Sequence, residues 1–223
     1  MGEKLSIEAA DGTHIGAWLA RPPGTIRAGL VVIQEIFGVN SHIRNVTDRF
    51  AADGYLALAP AMFDRIRPGV ELGYTADDIA KGRELAMALK PEQILSDVAG
   101  AIRTLRGQGC AKVGIVGFCF GGTVAWRAAA MASVDAAVGY YGGGVHGARD
   151  LRPKAPTALH FGDKDAHIPM DHVRAVAEMH PEVDVHVYPA DHGFHCDERA
   201  SYDAAAAKLA YGRTLEFFAR HLA

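Results

Sequence analysis

The sequence predicts an α/β fold: a mostly parallel sheet with helices on both faces and an antiparallel hairpin at its N-terminal edge. Three observations carry this expectation. Short apolar runs alternate with helical patterns along all 223 residues, and strands separated by helices imply right-handed crossovers in a parallel sheet. The run Leu30–Gln34 is continuously apolar until its last residue, as a strand covered on both faces is. The first two runs are joined by the turn signal Asp11-Gly12 rather than by a helix, which makes them a hairpin.

Taken in order, the hairpin strands are Leu5–Glu8 and His14–Ala20, and the buried strand Leu30–Gln34 follows. Ser41–Asp53 has helical spacing (Ile43, Val46, Phe50) and stops at Gly54. Tyr55–Ala59 is a strand ended by Pro60, and Met62–Tyr74 has no period and reads as loop. Helices are expected at Thr75–Leu89 and Pro91–Gly107, the second with proline in its first turn. A strand from Lys112 to Val116 leads into an Ala-rich helix ending near Met131. Strands Ala136–Tyr141 and Thr157–Phe161, a helix near Met170–His180, strand Asp184–Tyr188 and a last helix from about Ser201 to His221 complete the set. No linker, repeat or low-complexity segment divides the chain, so residues 1–223 are read as one domain.

Composition narrows the function classes. Hydrophobic residues make up 49% and charged residues 22%, ordinary values for a globular protein. A net charge of −3 with no basic run gives no nucleic-acid footprint. The N-terminus lacks a signal-peptide pattern and no apolar stretch reaches membrane-spanning length. The three cysteines, Cys110, Cys119 and Cys196, are widely spaced, which suggests reduced thiols rather than disulfides or a zinc framework. The expectation is a cytoplasmic protein, a monomer or small homo-oligomer, acting on a small molecule without nucleic-acid or membrane partners.

In parallel sheets of this kind the chemistry lies just beyond the carboxyl ends of the strands, and four side chains stand there: Glu35, Cys119, Asp165 and His192. Gly117-Phe118-Cys119-Phe120-Gly121 has the form of a nucleophile elbow, a tight strand–turn–helix connection that projects its central side chain off the sheet. A buried core thiol is the competing reading of this pentapeptide alone. Asp165 follows strand Thr157–Phe161, and His192 follows strand Asp184–Tyr188. The order Cys, Asp, His is that of the α/β-hydrolase fold, with the histidine as base and the aspartate orienting it. Asp163 competes with Asp165 and His195 with His192; a His192–His195 metal pair lacks a third ligand cluster. Glu35 ends up near the top of the sheet, partly desolvated, as a candidate proton acceptor, with a salt-bridged loop glutamate as the alternative. The oxyanion hole falls to the backbone N–H groups of Phe120 and Ile36.

Over essentially its whole length the chain resembles the dienelactone hydrolase (carboxymethylenebutenolidase) family. The matching segments are Gln34-Glu35-Ile36-Phe37-Gly38, Gly117-Phe118-Cys119-Phe120-Gly121-Gly122, Gly139-Tyr140-Tyr141-Gly142, Gly162-Asp163-Lys164-Asp165 and Ala190-Asp191-His192-Gly193-Phe194. The resemblance implies a Cys119–His192–Asp165 triad, with Glu35 holding the resting thiol and helping to deprotonate it when substrate arrives. It also implies cleavage of an ester or lactone without metal or cofactor, dienelactone to maleylacetate being the name-giving reaction. In the dienelactone-specific pattern an arginine four residues after the histidine helps to anchor the substrate carboxylate; here that position is Cys196. Arg199, Arg83 and His195 are the candidate substitutes, and Tyr141 is a further candidate substrate contact. The competing functions are a general carboxylesterase or thioesterase on the same fold and a non-hydrolytic thiol-redox or binding protein.

Overall fold

The computed structural model describes residues 2–223. Eight strands form one sheet: β1 (Glu3–Glu8), β2 (His14–Ala20), β3 (Gly29–Ile33), β4 (Leu56–Pro60), β5 (Val113–Phe118), β6 (Ala136–Tyr140), β7 (Thr157–Gly162) and β8 (Asp184–Tyr188). Their spatial order is β1-β2-β4-β3-β5-β6-β7-β8. The pairs β1–β2 and β2–β4 are antiparallel, and every pair from β4 to β8 is parallel. The expected edge hairpin is present, and its second strand joins the parallel body through β4. Between the strands run α1 (Ser41–Ala52), α2 (Ala76–Ala88), α3 (Pro91–Gly107), α4 (Phe120–Met131), α5 (Met170–Met179) and α6 (Ala204–His221).

The central strands are buried on both faces, and alternate residues feed separate cores. Leu30 and Val32 of β3 face a core closed by Ile43, Val46 and Phe50 of α1, Val173 of α5 and Phe217 and Phe218 of α6. Val31 and Ile33 face the other core, with Leu85 of α2, Val98 and Leu105 of α3 and Val124 and Ala128 of α4. Each fully buried Val, Leu or Phe contributes roughly 1.5–3 kcal/mol, so this two-sided burial fixes the strand ends on which the site is built. Among the described residues no helix is long and apolar enough to cross a membrane.

Two stretches differ from the sequence expectation. Met62–Tyr74 is not featureless: Met62–Arg65 is a turn of 3-10 helix, and Glu71 makes an isolated bridge to Gly38. Its order comes from remote partners, since Asn40 Nδ2 donates to Leu72 O and Tyr74 Oη, both at 3.1 Å, and the Tyr74 ring packs on Phe37 at 4.6 Å. The last helix begins at Ala204 rather than Ser201, because the Asp203 carboxylate accepts from Ala206 N–H and caps it there.

Candidate active site

Cys119 sits between β5 and α4 with φ 53° and ψ −111°, a conformation that costs a non-glycine residue about 1–3 kcal/mol. The surroundings hold it there. Its N–H donates to Tyr140 O at 3.0 Å and its carbonyl accepts from Gly122 N–H at 3.0 Å. A Cβ on Gly117 would lie 1.9 Å from Gly121 O, and one on Gly121 would lie 2.5 Å from Ile33 O. Only glycine fits either position, and the thiol is left half-buried at the head of α4.

The loops after β7 and β8 are laced together, Lys164 N–H donating to Ala190 O at 3.0 Å. This brings Asp165 and His192 into line with the thiol. His192 Nδ1 lies 2.7 Å from Asp165 Oδ2, and His192 Nε2 lies 3.2 Å from Cys119 Sγ. The other Asp165 oxygen accepts from His167 N–H at 2.8 Å. Asp165 is buried and Asp163 exposed, so the aspartate that meets the histidine is Asp165. Burial disfavours the imidazolium of His192, but the hydrogen bonds to Asp165 and Cys119 outweigh it and raise its pKa to about 10. Burial likewise pushes the Asp165 carboxyl up, and the bonds from His192 and His167 overcome this and hold it below the usual range. His195 is not part of this line. It stacks on Phe118 at 5.0 Å inside the aromatic core, where burial drives its pKa well down.

Glu35 lies at the end of β3, 1% exposed. Its Oε1 has no hydrogen-bond partner and faces Arg199 Nη1 at 3.6 Å. The thiol of Cys119 is turned to His192, so the expected resting contact between Glu35 and the thiol is not made here; Arg199 is the charge beside the carboxylate. Tyr141, also at positive φ (37°), is fully buried with its ring 5.1 Å from His192, and its hydroxyl has no partner. It backs the imidazole and is not part of the cleft wall, which corrects the expectation of a substrate contact there.

A cleft of roughly 700 Å³ opens over Cys119 and His192. Ile36 and Phe120 line it. Phe120 N–H is in the first turn of α4, where no intrahelical acceptor exists, and Ile36 N–H meets no acceptor among the described residues. Gly82 lets α2 approach Ile36 O, 2.2 Å from where a Cβ would stand, and the next residue, Arg83, reaches the cleft rim. Arg83, Arg127, Arg199 and His167 line the walls with no carboxylate among the lining residues.

Residues 15–222 match the dienelactone hydrolase family. The chain belongs to that family. It is 35% identical to a carboxymethylenebutenolidase of Pseudomonas putida, over 97% of this chain and 96% of the other. A candidate carboxymethylenebutenolidase of Synechocystis sp. is 40% identical over 94% of this chain and 93% of its own. The crystal structure of a candidate dienelactone hydrolase from Klebsiella pneumoniae superposes with a TM-score of 0.84 at 31% identity, covering 98% and 99% of the two chains.

Where the dienelactone hydrolase resemblance leads one to look for an arginine, the Cys196 thiol is buried and lies 3.3 Å from Tyr74 Oη. Arg199 has taken over the neighbourhood. Gly193 has φ 77°, and a Cβ there would lie 2.3 Å from Arg199 Nη1. The glycine after the histidine therefore makes room for Arg199 beside Glu35. Sequence reasoning missed Arg127, Tyr74 and His42. Arg127 could have been found: Cys119, Thr123 and Arg127 recur at four-residue spacing on one face of α4, and all three line the cleft.

Proposed function

We propose that this hydrolase of ester or lactone bonds works through Cys119 as nucleophile and takes an anionic, dienelactone-like small molecule. The alignment Cys119 Sγ–His192 Nε2 at 3.2 Å and His192 Nδ1–Asp165 Oδ2 at 2.7 Å carries the reading. Cys119 passes its thiol proton to His192 Nε2 as Sγ adds to the carbonyl carbon. The oxygen's growing charge meets the amides of Ile36 and Phe120, donors of a kind worth about 2.7–4 kcal/mol each. Collapse expels the alkoxide or enolate and leaves an acyl-thioester. His192 protonates the leaving group, then takes a proton from the water that hydrolyses the thioester, with Asp165 fixing the ring. Glu35 is a second proton acceptor near the thiol, released for that role when Arg199 turns to the substrate.

The cationic cleft supports a substrate carboxylate, with Arg83, Arg127 and Arg199 as its candidate partners. A general carboxylesterase or thioesterase is the second reading, favoured by the thiol at position 196. Rates on cis- and trans-dienelactone beside uncharged aryl esters separate the two, because an enzyme for anions loses its advantage when the carboxylate is removed. The nucleophile is tested by Cys119→Ala, which is expected to abolish turnover of both an enol-lactone and an activated phenyl ester. Retained turnover in that variant sinks the mechanism.

A further inference from the structure

Behind the cleft, three side chains from three separate elements meet: Glu35 after β3, His42 in the first turn of α1 and Cys196 in the segment between β8 and α6. We propose that they form a binding site for a thiophilic divalent cation of the zinc class. Their donor atoms, one carboxylate oxygen, one imidazole nitrogen and the thiol sulfur, all lie within 4.8 Å of one another. The residues are 1%, 0% and 0% exposed. In a tetrahedral zinc site, metal–ligand lengths of about 2.0–2.3 Å put donor atoms roughly 3.3–3.8 Å apart, so about 1 Å of side-chain movement closes the set.

Two of these side chains carry donor atoms without a hydrogen bond: His42 Nε2, and Glu35 Oε1, whose neighbour is the Arg199 guanidinium at 3.6 Å. A buried polar atom left so costs about 1–3 kcal/mol, and a cation would satisfy both. His42 is also oriented as a ligand. Its Nδ1 is 3.0 Å from Asp197 Oδ1, and a carboxylate accepting from Nδ1–H leaves the lone pair on Nε2. Thiolate with imidazole and carboxylate selects zinc, cobalt or cadmium over magnesium and calcium, which prefer all-oxygen sets. On binding, the sulfur–metal bond replaces the S–H bond, and the proton of Cys196 passes to solvent. Carboxylate and thiolate then balance the double charge, and water takes the fourth position.

Arg199 stands between this cluster and the cleft, 3.6 Å from Glu35 Oε1 and partly exposed. It competes with the metal for the same carboxylate and marks the way in. The chelate does not depend on Cys119 being the nucleophile, so it is tested without reference to activity. The full-length Cys119→Ala protein is titrated with Co²⁺ under argon. One equivalent is expected to produce a thiolate-to-cobalt charge-transfer band and the strong visible absorption of four-coordinate cobalt, both lost when Zn²⁺ is added. Cys196→Ser in the same background is expected to remove the charge-transfer band, and Arg199→Gln to tighten binding. Asp197→Asn is expected to weaken binding about 10–100-fold; its side chain is 48% exposed, so the variant folds even where a buried substitution does not. Absence of the band in the parent, its survival in Cys196→Ser, or unchanged affinity in Asp197→Asn would each overturn the proposal.

Discussion

Asp97 on α3 and Glu35 after β3 are both carboxylates shut away from water, and their surroundings could hardly differ more. Arg65 Nε donates to the two oxygens of Asp97 at 2.9 and 3.0 Å, and the same guanidinium reaches Thr13 Oγ1 at 3.2 Å and Asp11 Oδ1 at 3.0 Å. Desolvation pushes Asp97 up to about 6 even with this cation against it. Glu35 has a guanidinium at 3.6 Å and an Oε1 without a hydrogen bond. A closed network ties α3, the β1–β2 turn and the 62–65 turn together; it has no capacity left for chemistry. An open one leaves acceptor capacity unused at a strand end, which is where function is to be sought.

The comparison breaks most visibly if the closed network is opened. Arg65→Leu strands the Asp97 charge in the protein, and removing one partner of a buried pair costs about 3–5 kcal/mol. For a chain of this size that is a fall in Tm of roughly 6–20 °C, read by thermal unfolding, with kcat of the folded enzyme unchanged below the transition. Glu35→Gln is expected to do the reverse. Stability should move by less than about 1 kcal/mol, since the contact to Arg199 is long, the arginine keeps access to solvent, and a neutral amide is cheaper to bury than a carboxylate. The value of kcat/KM for lactone hydrolysis should drop about 10²-fold, the lower end of what a lost proton acceptor costs. A Glu35→Gln enzyme of full activity and lowered Tm would make the two carboxylates alike and remove the distinction.

How much of this could be read along the chain follows from the range of the forces involved. Gly117 announces the elbow because the clash it avoids is with Gly121, four residues on, and the strand that positions Asp165 is a largely apolar, fully buried run. The clash that Gly121 avoids is with Ile33 on another strand and carries no local signature. Asp97 and Arg65 carry no local signature at all; their pairing is made only when α3 docks beside the 62–65 turn. The same holds for Tyr74 against Cys196, 122 residues apart, and for His42 against Asp197, 155 apart. Met62–Tyr74 looked unstructured because its partners, Asn40 and Phe37, lie in another segment. Position 196 is legible as a departure, whereas the approach of Arg199 over Gly193 arises only from the turn of the chain between them.

The triad histidine supplies an effect with a definite pH signature. His192 goes from 6.5 in the unfolded chain to about 10 in the fold. Its folded pKa is raised, so the stabilisation it brings is fully present below about pH 6.5 and is lost as pH climbs towards 10. Within that window the slope is at most about 1.4 kcal/mol per pH unit. Urea unfolding of the wild type and of His192→Gln over this range should give curves whose gap is constant below pH 6.5 and closes towards pH 10. A gap that stays constant throughout would mean that the imidazolium is not favoured by Asp165 and Cys119.

The smallest effect is expected at the open end of the same site, where solvent screens the charges. Arg127 is half-buried on the cleft wall, and no ion pair engages it among the described residues. Arg83 stands exposed on the rim. Screened contacts of this kind are worth about 0.2–1 kcal/mol, so Arg127→Gln should raise KM for a carboxylate-bearing lactone about two- to fivefold with kcat little altered. A neutral aryl ester measured beside it should show no change. The penalty should shrink at high salt, because the interaction with an exposed anion is screened while packing is not. A loss of equal size on the neutral ester would assign Arg127 to the shape of the cleft instead of its charge, and the carboxylate would then have to be met by Arg83 and Arg199. That outcome would also return Glu35 to the centre of the comparison, since Arg199 cannot hold the substrate and the buried carboxylate at the same time.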